Sequence, residues 1–118
     1  EYGLLLRRAY RSFHGSRLAD HKIARQFTRR AVPAKYGDFA LGFFKPTLGR
    51  ASCGQYFSAS SVGHLGFTGT SLWYDPRRDL LVTILSNRVY HGRDNSEFRK
   101  LRPQLHDFVV EEWDEEDR

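Results

Sequence analysis

The sequence is poor in the residues that cross-link a chain, hold a metal or cross a membrane. Its single cysteine, Cys53, cannot form an internal disulfide, so no disulfide framework supports the fold. No stretch approaches the ~18 consecutive apolar residues that a membrane helix needs. The five histidines never occur four residues apart, which is the spacing that presents two zinc ligands on one helix face. We therefore expect no membrane segment, no metal site and no cofactor site in this chain.

The composition is that of a folded domain with an uneven charge. Hydrophobic residues make up 40% of the 118 positions, which is enough apolar surface to exclude disorder. Residues 1–36 carry nine Lys or Arg and two acids, whereas residues 111–118 carry six acids and one Arg. The basic segment either neutralises nucleic-acid phosphates or forms the solvated face of arginine-rich helices. We favour the second interpretation and expect no nucleic-acid partner, because no recognised nucleic-acid motif accompanies the charge.

Two helices are predicted near the start of the chain. Residues 3–13 and about 21–30 each carry apolar side chains at helical spacing, with arginines between them. In the second helix we expect Ile23, Ala24 and Phe27 to be buried. Both helices are amphipathic and need a partner surface.

A third helix is predicted over residues 95–114. Six apolar side chains fall on one face and are expected to pack on a sheet: Phe98, Leu101, Leu105, Phe108, Val109 and Trp113. Pro103 either kinks this helix or marks the first turn of its main part. His106 and Asp107 are expected to form a surface pair.

Strands are predicted between the helices. Short apolar runs bounded by turn residues indicate strands at 39–44, 61–67, 70–74 and 80–86. Asp75-Pro76-Arg77-Arg78-Asp79 is typical of a hairpin turn, because proline fixes the φ that its second position requires. The order of elements predicts an α+β fold, with an antiparallel sheet, flanking helices and a C-terminal helix packed on the sheet. We expect one partial domain over 1–118, divided into a helical segment (1–36), a strand region (37–90) and the C-terminal helix (95–114).

The most informative stretch is His64-Leu65-Gly66-Phe67-Thr68-Gly69-Thr70-Ser71, which continues through an Asp-Pro turn into the apolar run 80–85. This passage resembles the third motif region of the serine β-lactamase and penicillin-binding-protein superfamily, and in particular the class C β-lactamase-related esterases and peptidases. In that superfamily a Lys-Thr-Gly or His-x-Gly triplet on a strand forms one wall of a serine hydrolase cleft. The resemblance covers most of the chain.

The resemblance implies roles for four residues. His64 stands where the family has a Lys or His that contacts the hydroxyl groups of the cleft and the substrate. Gly66 takes the position where a side chain would block the approach of substrate to the strand. Phe67 follows at the point where the backbone N–H is the second oxyanion donor. Leu65 stands at a substrate-binding position where the family usually has Thr, and this departure weakens the case for a carboxylate-bearing β-lactam or D-Ala peptide as substrate.

The rest of such an active site is missing from the 118 residues. No Ser is followed three positions later by Lys, and no Tyr-x-Asn occurs. The chain begins at Glu1 without an initiator methionine, and we expect it to be a piece of a longer polypeptide. We therefore expect the C-terminal segment of a serine hydrolase that acts on a small ester or amide, inactive alone and partnered by the missing N-terminal part of its domain. The alternative is a non-catalytic remnant or interaction module with the same architecture.

Overall fold

Three short antiparallel strands lie at the centre of the structure, a computed structural model that describes residues 21–47 and 49–116. They are β1 (Val62–Leu65), β2 (Ser71–Asp75) and β3 (Leu80–Ile84), arranged in the order β1-β2-β3. Trp73 is paired with Gly63 on one side and with Val82 on the other. The strands predicted at 61–67, 70–74 and 80–86 are confirmed, with small differences at their ends.

A tight turn joins β2 to β3. The buried carboxylate of Asp75 accepts a hydrogen bond of 2.9 Å from the Arg77 N–H. Asp79 closes the turn at a positive φ of 48°, which Asp tolerates better than most residues, and its carboxylate accepts a 2.8 Å bond from the Tyr74 hydroxyl. The predicted turn is therefore present, and its two aspartates are bonded within it.

A long helix, α2 (Glu97–Glu116), packs on one face of the sheet and continues through Pro103. Its Val110 joins the main core, which also contains Cys53, Phe57, Trp73, Leu80 and Val82. The buried stripe of α2 consists of Arg102, His106 and Val110. The α+β prediction with a C-terminal helix on the sheet is confirmed.

The predicted packing face of α2 is confirmed for Val109, which packs against the main core, but the most buried side of the helix is rotated from the predicted one by about one residue. Leu101 is 46% exposed and Phe108 is 59% exposed, whereas the neighbouring Arg102 and His106 are buried. Hydrogen bonds account for the burial of these two polar side chains. Arg102 Nη1 donates to the Gly69 carbonyl oxygen at 3.2 Å, and His106 Nδ1 lies 2.9 Å from the Arg102 carbonyl oxygen. The predicted surface position of His106 is also wrong, since its side chain is fully buried.

The opposite face of the sheet is covered by the segment 39–44. Ala40 and Phe43 pack there against Val62 and Tyr74 in a second apolar cluster. This segment was predicted as a strand but forms only isolated bridges, Phe39 with Phe44 and Phe44 with Gly63. The chain reverses at Gly42, which has a φ of +75°, and the Ala40 N–H bonds to the Phe43 carbonyl oxygen at 2.9 Å.

A short helix, α1 (His21–Thr28), precedes this segment, and short 3₁₀ turns occur at Ala34–Tyr36 and Arg88–His91. Ala24 is buried as predicted, but Ile23 and Phe27 are 51% and 47% exposed. Among residues 22–28 of α1, the other buried residue is Thr28, whose hydroxyl bonds to the Ala24 carbonyl oxygen. The helix predicted at 3–13 lies outside the described residues.

Candidate functional site

The end of β1 presents His64 to solvent. The imidazole is exposed and stacks on the Phe44 ring, with centroids 4.9 Å apart and planes 9° from parallel. It makes no hydrogen bond to another residue in the described ranges. The stacking sets the orientation of the ring, and both of its nitrogens stay available to a group from outside these residues.

The outer edge of β1 is paired only at Gly63. There Phe44 and Gly63 exchange both backbone bonds, at 2.8 and 3.0 Å. Successive peptide groups of a strand point to alternate edges, so the backbone groups of Leu65 face the same edge as those of Gly63, whereas Phe67 lies in the turn that follows β1. The Gly66 N–H is occupied by the Thr70 carbonyl oxygen at 2.7 Å, whereas the Phe67 N–H has no partner among residues 21–47 and 49–116. An unpaired backbone donor therefore lies three positions after an exposed histidine.

The glycines around this strand end differ in what the fold requires of them. A Cβ on Gly63 would overlap the Trp73 ring, and a Cβ on Gly69, whose φ is +93°, would lie 2.5 Å from Ser86 Oγ. A Cβ on Gly66 would instead meet Thr70 at 3.4 Å, an ordinary contact, and Gly66 does not have a positive φ. The described fold therefore needs glycine at 63 and 69 but has room for a side chain at 66.

Phe67 points its ring into solvent beneath two arginines. The side chain is 60% exposed, and the guanidinium carbons of Arg88 and Arg93 lie 4.9 and 5.5 Å from its ring centroid. Such cation–π contacts hold the ring and the cations in fixed relative positions. Leu65, half-buried, separates this region from a neighbouring cavity of about 280 Å³ that reaches Trp73.

A cavity of about 320 Å³ opens at this end of the sheet. Its wall consists of Phe44, Leu65, Gly66, Phe67, Arg88, Arg99 and Arg102. Its lining thus includes three of the four residues that the sequence analysis singled out, and three arginines that the sequence analysis did not single out. The strand residues are contiguous in the sequence, whereas the arginines come from a 3₁₀ turn and from α2, so no local motif could have revealed them.

A larger cavity, of about 420 Å³, lies beside α1 and is lined by Arg25, Arg29, Arg30 and Lys45 among others. Burial, followed by the nearby Arg30, lowers the pKa of Lys45 to about 8. The Lys45 ammonium donates to the carbonyl oxygens of Thr28 and Ser60 at 3.1 and 3.0 Å. These bonds tie α1 to the loop before β1, and none of the residues from 64 to 67 lines this cavity.

The single cysteine, Cys53, is buried. Burial is the main cause that raises the pKa of the Cys53 thiol to about 12, so the thiol stays protonated. Within the described ranges, no group of three or more His, Cys, Asp or Glu side chains is arranged to hold a metal ion. The same residues include no helix that is long and apolar enough to cross a membrane.

Comparison with known proteins identifies the family and the fold of this chain. The sequence model of the β-lactamase family matches residues 6–105, and the chain therefore belongs to the β-lactamase family. Its fold is similar to the crystal structure of a β-lactamase from Mycobacterium bovis, with a TM-score of 0.67 and 22% sequence identity. The similarity covers 88% of this chain but only 41% of that one, so the chain spans about two fifths of its relative. No curated protein sequence matches significantly.

Proposed function

We propose that this chain forms the strand side of the cleft of a β-lactamase-related serine hydrolase, an esterase or amidase that acts through an acyl-enzyme. The observation that carries the proposal is the end of β1, where the His64 side chain is exposed and the Phe67 N–H, in the turn after the strand, has no partner among the described residues. In a family defined by serine acyl transfer, a backbone donor at this strand end is suited to hold a substrate carbonyl.

Each residue has a distinct part in the proposed reaction. A serine oxygen attacks the substrate carbonyl, and the carbonyl oxygen becomes an oxyanion to which the Phe67 N–H donates. His64 donates a hydrogen bond to the hydroxyl groups of the cleft or to the substrate. Gly66 leaves the space through which the substrate reaches the strand, in keeping with the absence of any steric need for glycine there. Water then hydrolyses the acyl-enzyme.

The nucleophile and its base are assigned to a segment outside these 118 residues, because no Ser-x-x-Lys and no Tyr-x-Asn occur in them. The same absence favours the second candidate, a non-catalytic module with this architecture. The two candidates differ in what the gene encodes before the codon for Glu1. A reading frame with Ser-x-x-Lys and a tyrosine motif supports the hydrolase, whereas a start codon directly before Glu1 supports the module.

The decisive experiment uses the protein encoded by that extended frame. We expect a fluorophosphonate probe to label it at the Ser of Ser-x-x-Lys, and Gly66→Val to slow labelling by about 100-fold, because misplacing the reacting carbonyl by an ångström has an effect of that size. The matched control is Thr68→Ala, an exposed position two residues along the chain, which should label normally. Equal labelling of Gly66→Val and the unchanged protein, with equal melting temperatures, would remove Gly66 from the cleft.

A further inference from the structure

The cavity beside α1 is lined by four basic side chains and by no acidic one. Arg25 and Arg29 belong to α1 or follow it directly, and Arg30 and Lys45 complete the set. Arg30 is paired with Asp38, whose carboxylate lies 2.6 Å from Arg30 Nη2. In the described part of the chain, neither Arg29 nor Lys45 forms an ion pair with a carboxylate. The protein therefore neutralises the positive charge of this cavity only in part.

Lys45 is a buried cation without a counter-charge in these residues. It is only 7% exposed, and its ammonium donates to the carbonyl oxygens of Thr28 and Ser60, two residues of the cavity wall. An ammonium has three N–H donors, so one of them has no acceptor among residues 21–47 and 49–116. Burial, followed by the charge of Arg30, lowers the pKa of Lys45 to about 8. A buried cation with an unused donor costs free energy unless an anion joins it.

The cavity has room for a small molecule beside these cations. Its volume of about 420 Å³ lies within the range of ~300–1,000 Å³ that is usual for small-molecule sites. Ala24 and Ala59 give the wall an apolar part, and Arg29 lines the cavity while its side chain is exposed. A ligand from solvent can therefore meet the Arg29 guanidinium and the Lys45 ammonium together.

We propose that Lys45 and Arg29 bind a phosphate group in this cavity. Lysine offers a compact charge and arginine a fork of donors, and a phosphate has three acceptor oxygens and up to two negative charges to match them. A carboxylate, with one charge, fits this set of cations less well. None of the residues from 64 to 67 lines this cavity, so the inference goes beyond the proposed hydrolase and does not depend on it.

A titration of the 118-residue chain with inorganic phosphate tests the site. At neutral pH and constant ionic strength, we expect saturable shifts of the Lys45 side-chain NMR signals with a millimolar dissociation constant. Arg29→Gln should weaken binding about tenfold, since one charge-assisted hydrogen bond is worth about that factor. Parallel titrations with glycerol 3-phosphate and with acetate define the ligand. Tighter binding of glycerol 3-phosphate assigns the site to a phosphate carried by a small molecule, and equal binding assigns it to the free ion.

Phosphate should also raise the pKa of Lys45, because a bound anion stabilises the ammonium form. If the ammonium form binds phosphate tenfold more tightly than the neutral amine, saturating phosphate raises this pKa by about one. The Cε signal of Lys45, followed against pH with and without phosphate, measures the change. An unchanged pKa at saturation would remove Lys45 from the site.

A matched control separates the site from general electrostatics. Arg77→Gln removes the same charge from an exposed position in the β2–β3 turn, and we expect it to leave phosphate binding unchanged. Non-saturable shifts, acetate binding as tight as phosphate binding, or equal weakening by the substitutions at 29 and 77 would overturn the proposal. The titration reads only anion binding and the fluorophosphonate probe reads only acylation, so failure of this site is distinguishable from failure of the proposed hydrolase.

Discussion

The two ends of the three-stranded sheet differ in whether their charged side chains are paired with opposite charges. At the β2–β3 turn, the carboxylate of Asp75 is buried and accepts bonds from the Ser58 N–H and hydroxyl at 3.0 and 2.7 Å. Arg78 donates to Asp75 at 2.9 Å and reaches α2 through two bonds of 2.8 Å to Asp114. Every charge in this turn cluster (Ser58, Asp75, Arg78 and Asp114) faces an opposite charge or a hydrogen-bond donor.

At the other end, Arg88, Arg99 and Arg102 share a cavity with no carboxylate among them. The contrast appears in the pKa values. The bidentate contact with Asp114 is the main cause that raises the pKa of Arg78, whereas burial lowers that of Arg102. A charge that is paired within the chain contributes to stability, whereas Arg102 is more deeply buried than Arg78 and has no carboxylate partner among the described residues. The comparison therefore assigns the turn cluster to folding.

The largest expected effect is loss of the turn cluster. Asp75→Ala removes an acceptor that serves Ser58, Arg77 and Arg78, and of these three only Arg78 keeps another carboxylate partner, Asp114. Each donor left without its acceptor costs about 1–3 kcal/mol, with bonds to a charged group at the upper end of this range. Denaturation in urea should show this loss in the free energy of unfolding. The control is Glu97→Gln, which breaks the exposed pair with Lys100 and should give no measurable change. A loss of similar size in both variants would mean that the turn cluster contributes no more to the free energy of unfolding than an exposed ion pair does.

A second prediction compares two glycines near the cavity. Gly63→Ala places a methyl group against the Trp73 ring, and overpacking of this kind costs about 1–3 kcal/mol. Gly66→Ala meets only an ordinary contact and should stay within about 1 kcal/mol of the unchanged chain. Thermal melts of the two variants check the order. If Gly66→Ala proved as damaging as Gly63→Ala, Gly66 would be a folding residue and its place in the cleft would lose support.

The turn cluster should also give the stability a dependence on pH. Burial alone would raise the pKa of Asp75, but the bonds from Ser58, Arg77 and Arg78 outweigh it and hold the pKa below its ordinary value of 3.8. A carboxyl with a lower pKa in the folded state stabilises fully above its unfolded pKa, and this contribution is lost as the pH falls through the folded value. The free energy of unfolding should therefore decrease below about pH 3.8, and less steeply in Asp75→Asn. Parallel pH profiles for the two proteins would contradict this.

The sheet and its turn were predictable because they depend on local signals. The apolar run at 80–85 and the Asp-Pro turn before it are features of neighbouring residues, and both appear where expected. The packing face of α2 was not predictable, because the burial of Arg102 depends on the Gly69 carbonyl oxygen, 33 residues away. Apolar periodicity predicted that Leu101 and Phe108 are buried, but both are exposed, because the tertiary hydrogen bond of Arg102 turns another side of the helix towards the sheet.

The residues of the candidate site also divide into those that the sequence predicts and those that it does not. His64, Leu65, Gly66 and Phe67 are contiguous and were found through their resemblance to a known motif. The arginines that complete the cavity lie more than 20 positions further on, in a turn and a helix whose relative placement a single sequence does not reveal.

The smallest expected effect concerns Leu65, which lines the cavity at the end of the sheet and stands where the family usually has Thr. Leu65→Thr adds the hydroxyl that the family usually has at this position and should tighten binding of acetate about fivefold, the equivalent of one neutral hydrogen bond of about 1 kcal/mol. Titration of the 118-residue chain with sodium acetate at constant ionic strength, followed by NMR at the Phe67 amide, measures the two affinities. The control is Leu85→Thr, at a side chain that is 80% exposed and outside the cavity, and this variant should bind acetate like the unchanged chain. Equal affinities for Leu65→Thr and Leu85→Thr would remove position 65 from the proposed cleft, because a hydroxyl there would then reach no bound carboxylate. Tighter binding in Leu65→Thr alone would support position 65 as a substrate-binding position beside the proposed oxyanion donor of Phe67.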